Sequence, residues 1–303
     1  MQLIAAADLH LSPTSFSRLE HMAAQAAGSD ADALVIAGDL TTGAITQHGE
    51  ILQALSSFPG LKLFVPGNHD LWQKGRERDT WQRYETDLPQ VATAAGFHYL
   101  DQAPVAHGQY GFVGCLGWYD YSLRQVKPPD ADLRLSPATV TRPGTALHLD
   151  PHRRNLAWSE LLPEDYATKA MQCLDDNVAQ GLVWNDRFYV DWGKTDEEMV
   201  EYFCDKLTRQ AETIAPEVDH LVAVTHFVPF AEVLPNAKTV TAAYARAFAG
   251  SSRLGETIRA LPKISAAIFG HWHRQQTWDL DGLLAANASV DHAQQPPLRL
   301  ELP

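Results

Sequence analysis

Short apolar runs punctuate the chain at QLIAAA (2–7), ALVIA (33–37), LKLFVP (61–66), HLVAV (220–224) and ISAAIF (264–269). Each reads as a β-strand. Helices are expected over Ser15–Ala27, Gln47–Phe58, Thr80–Ala95, Thr195–Ile214 and Ser252–Leu261. Thr195 reads as an N-cap, and Asp196, Glu197 and Glu198 in the first turn suit the helix dipole. Further strands are expected at His98–Leu100, Pro104–His107 and Gly111–Leu116. Thr277–Leu280, Leu283–Ala286 and Leu298–Leu302 read as a closing antiparallel edge. This alternation of strand and helix indicates an α/β layered fold. A parallel or mixed sheet delivers strand ends to one edge, so residues far apart in sequence can meet there.

The pattern changes between Trp118 and Lys194. Pro128, Pro129, Pro137, Pro143, Pro151 and Pro163 break up any long element. Trp158, Trp184, Phe188, Tyr189 and Trp192 gather here, with Arg124, Lys127, Arg134, Arg142, Arg153 and Arg154. Residues 118–194 therefore read as an insertion within one domain spanning 1–303. Such insertions often serve as lids. A surface elaboration packing its own aromatics is the alternative.

Composition adds boundaries. The apolar fraction of 45% suffices for a substantial core. No uninterrupted apolar run is long enough to span a bilayer. The N-terminal MQLIAAADLHL lacks a basic region and is interrupted by Asp8 and His10, so it reads as a strand and not a signal peptide. Cys115, Cys173 and Cys204 are an odd, widely spaced set, which suggests reduced cysteines and a cytoplasmic home. The net charge of −13 argues against general nucleic-acid binding but not against a small nucleotide.

The candidate chemistry sits just after the apolar runs. Asp8-Leu9-His10, Gly38-Asp39, Gly67-Asn68-His69-Asp70, Thr225-His226 and Gly270-His271-Trp272-His273 each follow one of them. Singly, each is ordinary: Gly-Asp is a common turn dipeptide, and Asn tolerates positive φ. Together, Asp8, His10, Asp39, Asn68, His226, His271 and His273 form a nitrogen and oxygen donor set without cysteine. That suits an open catalytic site for divalent ions and not a structural zinc site. The set is too large for one tetrahedral ion and about right for two. Two ions roughly 3.5–4 Å apart can hold a bridging water, lower its pKa and clamp an in-line displacement at phosphorus. Two divalent ions against two carboxylates also leave a positive centre for an anionic phosphate.

The order D-x-H, G-D, G-N-H-D, a lone strand-end His and G-H-x-H resembles the calcineurin-like metallophosphoesterase superfamily, from Asp8 to His273. Thr225-His226-Phe227-Val228-Pro229, Ala249-Gly250-Ser251-Ser252 and Gly117-Trp118-Tyr119-Asp120-Tyr121 further resemble a bacterial branch of phosphohydrolases. The resemblance implies a four-layer α/β/β/α sandwich of two mixed sheets. It implies that Asp8, His10 and His273 hold one metal, that Asn68, His226 and His271 hold the other, and that Asp39 bridges them. The attacking group would be a bridging hydroxide. His69 would face the substrate and protonate the leaving oxygen. Asp70 would orient His69 or cap the following turn. The metals are expected to be manganese, with iron, zinc or a mixed pair as alternatives.

Arg246, Arg274, Tyr119, Asn68 and the insertion arginines are candidate substrate contacts, as are His148 and His152. His21, His48, His98, His107, His220 and His292 read as structural or solvated. The expected function is hydrolysis of a phosphate mono- or diester on a small substrate, with no membrane partner. One rival is a nuclease of the same superfamily acting on DNA, which the acidic charge disfavours. The other is a non-catalytic protein-binding module, which would be expected to have lost ligands; none is missing here. The substrate, the metals and the oligomeric state are left open.

Overall fold

Two sheets stack face to face in the computed structural model, which describes residues 1–12, 15–73, 79–124, 184–237, 245–291 and 293–302. The first holds β1 (Gln2–Ala6), β2 (Ala33–Ala37), β3 (Leu61–Val65), β4 (His98–Tyr99) and β11 (Leu298–Glu301), in the order β11-β1-β2-β3-β4. The second holds β5 (Val105–His107), β6 (Tyr110–Cys115), β7 (His220–Thr225), β8 (Ile264–Phe269), β9 (Gln276–Leu280) and β10 (Leu283–Asn287), in the order β5-β6-β7-β8-β10-β9. β1 to β4 run parallel, as do β6, β7, β8 and β10; β11, β5 and β9 are antiparallel edges.

The apolar runs are continuous because the central strands are covered on both faces. Leu3, Ala5, Val35, Ala37 and Val65 point between the sheets, against Phe112, Val222, Val224 and Ile268. Ile4, Ala6, Leu34, Ile36 and Phe64 alternate with them and pack under the helices. The helices are α1 (Phe16–Ala27), α2 (Ile45–Leu55), α3 (Asn68–Leu71), α4 (Thr80–Gln82), α5 (Leu88–Ala94), α6 (Asp186–Tyr189), α7 (Asp196–Ile214) and α8 (Ser252–Ala260). Arg83–Asp87 forms a π turn between α4 and α5. The start of α7 is the one expected: Thr195 Oγ1 accepts from the Glu198 amide at 3.2 Å, and Glu198 Oε2 accepts from the Thr195 amide at 2.8 Å.

The expected closing antiparallel edge is corrected. β9 and β10 do pair antiparallel, but β10 continues the second sheet parallel to β8. β11 crosses to the first sheet and pairs with β1. Alternating short runs reveal strands but not which sheet completes them. Most of the expected insertion, including Arg134, Arg142, Arg153, Arg154, His148, His152, Trp158 and Cys173, lies outside the described residues, as does His292. Among the described residues no helix is long and apolar enough to cross a membrane.

Candidate metal centre

The motif residues sit where strands end and the backbone turns sharply. Asp8 (φ 58°), His10 (42°), Asp39 (58°), His271 (68°) and His273 (42°) all adopt left-handed backbone, which L-residues other than Gly, Asn, Asp and His seldom enter. The turns also press against each other. A Cβ at Gly38 would lie 2.6 Å from the Gly67 amide nitrogen and 2.6 Å from His226 Nδ1. A Cβ at Gly67 would lie 2.1 Å from Asp39 Oδ1. Glycine in the second and third motifs is thus a requirement of close approach.

Each carboxylate is aimed by the backbone of another motif. The His271 amide donates to both Asp8 oxygens at 3.0 Å, and the His69 amide donates to Asp39 Oδ1 at 2.9 Å. Asp39 Oδ2 is left facing inward. It lies 3.5 Å from His10 Nε2 on one side and 3.3 Å from His226 Nε2 on the other. On the first side, His10 Nε2 is 3.1 Å from His273 Nε2, which is 3.6 Å from Asp8 Oδ1. On the second, His226 Nε2 is 3.1 Å from Asn68 Oδ1 and 3.2 Å from His271 Nδ1. All seven donors singled out in the sequence meet here. Three groups of imidazole and carboxylate atoms have the closeness a metal ion requires: Asp8-His10-His273, His10-Asp39-His69 and Asp39-His226-His271.

The donors fit a cation. His226 Nδ1 donates to the Ala37 carbonyl at 2.8 Å, and His271 Nε2 donates to the Phe248 carbonyl at 3.2 Å. With the outer nitrogens so used, a neutral ring turns its lone pair inward, that of His226 toward Asp39 Oδ2 and Asn68 Oδ1 and that of His271 toward the His226 ring, as in metal-binding histidines. Lone pairs converging without a proton need positive charge between them. In the metal-free chain a proton supplies it: burial opposes the charge on His226, yet the Asp39 and Asp8 carboxylates raise its pKa to about 9. Burial likewise works to raise Asp39, but His226, His69 and His10 hold it well below the usual carboxylate range. Burial and the neighbouring His226 push His271 well down, which favours a neutral ligand ring. Burial raises Asp8, against the pull of His226 and His273.

His69 stands at the edge of this cluster. Its ring stacks on Trp72 (centroids 3.9 Å apart) and meets His10 edge-on at 4.6 Å. Its Nδ1 is buried without a hydrogen-bond partner. Asp70 does not take up that nitrogen. Its carboxylate points the other way and accepts from the amides of Asp39, Leu40, Thr41 and Gly67 and from His48. The Asp70 carboxylate thus ties the second and third motif turns together and, through the Gly67 amide, caps the start of α3.

The expected substrate contacts fare unevenly. Arg246 is buried, and its guanidinium donates to the Leu123, Leu234 and Pro235 carbonyls, which makes it a brace between loops. Tyr119 is buried in an aromatic cluster with Trp118, Phe227 and Phe248. Arg274 is exposed beside His273. The three segments that resemble the bacterial branch pack on one another: Ser251 Oγ donates to Asp120 at 2.7 Å, Val228 bridges Gly250, and the Phe227 ring lies 4.3 Å from His271. One residue at the site escaped the sequence reading. Asp186, buried in α6, accepts from Asn68 Nδ2 at 2.8 Å. No motif surrounds it.

Two mixed sheets with flanking helices, and a carboxylate-imidazole cluster at their strand ends, define a metallophosphoesterase fold. The family described as calcineurin-like phosphoesterase matches residues 1–275, and the chain belongs to it. It is a hydrolase acting on phosphoric ester bonds. The fold is similar to the phosphopantetheinyl hydrolase PptH of Mycobacterium tuberculosis, at 17% identity and a TM-score of 0.68, covering 97% of this chain and 90% of that one. It is also similar to TT1561 of Thermus thermophilus, at 11% identity and a TM-score of 0.52, covering 99% and 98%. No curated protein matches at the level of sequence.

Proposed function

We propose that the chain hydrolyses a small phosphate mono- or diester with two divalent ions. Asp8, His10 and His273 would hold one, Asn68, His226 and His271 the other, and Asp39 both. The observation that carries this reading is the place of Asp39 Oδ2, 3.5 Å from His10 Nε2 and 3.3 Å from His226 Nε2. When bound, the ions supply charge for the phosphoryl oxygens and acidity for the attacking water. Manganese is the first choice, with iron, zinc or a mixed pair next, since imidazole and carboxylate donors suit all of them.

The chain's own residues set the geometry. Backbone amides hold Asp8 and Asp39, and backbone carbonyls fix which nitrogen His226 and His271 turn inward. His69 is the group that donates a proton to the leaving oxygen. The reading also puts the protein in a reducing compartment such as the cytoplasm, since Cys115 and Cys204 are buried and unpaired.

The test is elemental analysis with turnover of phosphate mono- and diesters. Two ions per chain, loss of turnover on chelation and recovery with manganese are expected. Full turnover in a metal-free sample would refute it.

A further inference from the structure

Asp186 sits at the centre of a clamp. Its Oδ1 accepts from Asn68 Nδ2 at 2.8 Å and from Trp72 Nε1 at 2.7 Å. Its Oδ2 accepts from Trp184 Nε1 at 2.7 Å. The Trp72 ring stacks on His69, and the Trp184 ring meets His271 edge-on at 5.8 Å and stacks on Phe248 at 4.9 Å. One carboxylate, 118 positions from Asn68 in sequence, thus touches a metal-facing amide and two indoles that pack on motif histidines. The clamp thus joins Trp184 and α6 to the site.

An asparagine amide is nearly symmetric in shape, and turning it by 180° exchanges oxygen and nitrogen at little steric cost. Only one orientation serves a cation: Oδ1 inward. A neutral His226 ring, the form that can ligate a metal, does not select it, because a ring nitrogen 3.1 Å away with its partner nitrogen spent on Ala37 can accept an amide N–H; only the protonated ring would require Oδ1 there. An ionised carboxylate has acceptors only, so it can take only the Nδ2 side. The two indole donors, one on each oxygen, occupy two more acceptor positions and hold it in place.

Resting on the dinuclear reading above, we propose that Asp186 is a positioning residue: it fixes Asn68 with Oδ1 facing the second metal position, and it makes occupancy of that position depend on the clamp. Partners of metal ligands typically change affinity by about 10–100-fold when altered. Asp186→Asn keeps the shape but offers an amide, which no longer dictates the orientation of Asn68.

The test uses the full chain with Mn²⁺ alone, read by elemental analysis, by the electron paramagnetic resonance of a coupled manganese pair, and by melting temperature. Wild type is expected to hold two ions and show the coupled signal. Asp186→Asn should fold, keep the first ion and bind the second about 10–100-fold more weakly, leaving an isolated-ion spectrum. The double variant Asn68→Asp, Asp186→Asn reverses the pair: both oxygens at position 68 are acceptors, and the new amide at 186 donates to one of them while its oxygen keeps the Trp184 bond, giving up only the acceptor of Trp72 Nε1. It should regain the second ion and the coupled signal. Because it keeps the hydrogen-bonded pair, it carries the test even where the single variant fails to fold. Wild-type affinity in Asp186→Asn, or loss of the second ion in the double variant, overturns the proposal. A wild-type chain that never binds two ions refutes the dinuclear reading instead.

Discussion

The Asp70 carboxylate and the His48 ring meet at 3.1 Å, Oδ1 to Nε2, with neither side chain exposed. Arg83 lies against this pair, its Nη2 3.4 Å from His48 Nδ1 and its Nε donating to the Asp70 carbonyl at 3.0 Å. The carboxylate therefore has five donors: the amides of Asp39 and Gly67 on Oδ2, and those of Leu40 and Thr41 with His48 on Oδ1. It holds the Gly38-Asp39 turn against the Gly67-Asn68 turn from below.

Asp70→Asn should therefore act on the fold first. The amide would set a donor against buried N–H groups that lose their acceptor, at a cost of about 3–5 kcal/mol. Urea unfolding should show that loss. The pH–rate profile of the protein that remains folded should keep its shape. A displaced limb in that profile would put Asp70 in a proton relay and contradict its role as a tie.

Asp39→Asn should be the most damaging ligand change, because this carboxylate alone faces both halves of the cluster. It should lower metal content as well as rate, with kcat down by roughly 10³-fold, the scale seen for loss of an electrostatic stabiliser. Elemental analysis beside kinetics separates the two effects. Retention of two ions with near-normal kcat would contradict the shared position of Asp39.

Most of this was readable before the structure, for a physical reason. The clustered residues lie in sharp strand-end turns, where Gly, Asp, Asn and His suit the backbone, and Asp, Asn and His are also metal-type donors, so chemistry and conformation mark the same positions. Asp186 carries no such mark. It lies in a short helix, and only spatial approach gives it a partner. Arg246 shows the converse: a sequence shows a cation, not that its guanidinium meets three backbone carbonyls. The π turn at Arg83–Asp87 likewise carries no mark in the sequence.

Asp196 should make stability fall as pH rises through the weakly acidic range. Burial raises its carboxyl from 3.8 to about 6, against the hydrogen bonds donated by Tyr121 and Trp118. The folded state favours the neutral form. Its stabilising contribution is thus complete below 3.8 and lost as pH passes about 6. At 1.36 kcal/mol per pKa unit, the shift from 3.8 to about 6 corresponds to about 3 kcal/mol. Urea unfolding of wild type and Asp196→Asn, both with chelator, should show wild type losing roughly that much relative to the variant between about pH 3.5 and 7. Parallel curves would contradict it.

His69 gives the sharpest test of the chemistry. Its backbone amide is fixed on Asp39 Oδ1 at 2.9 Å, and its ring is held between Trp72 and His10. Its buried Nδ1 has no hydrogen-bond partner, and the ring is close enough to His10 and Asp39 to share a cation with them. Position alone fits both an acid and a ligand, and the two roles separate in a variant. As the acid, His69→Ala should keep both metals and lose about 10²–10⁴-fold in rate on an alkyl ester, whose alkoxide leaves poorly without a proton. An aryl ester with a good leaving group needs that proton less, so its loss should be smaller. Equal loss on both would mean that His69 acts by holding the phosphoryl group. Loss of a metal would make it a ligand, and the proton at the leaving oxygen would then have to come from another group.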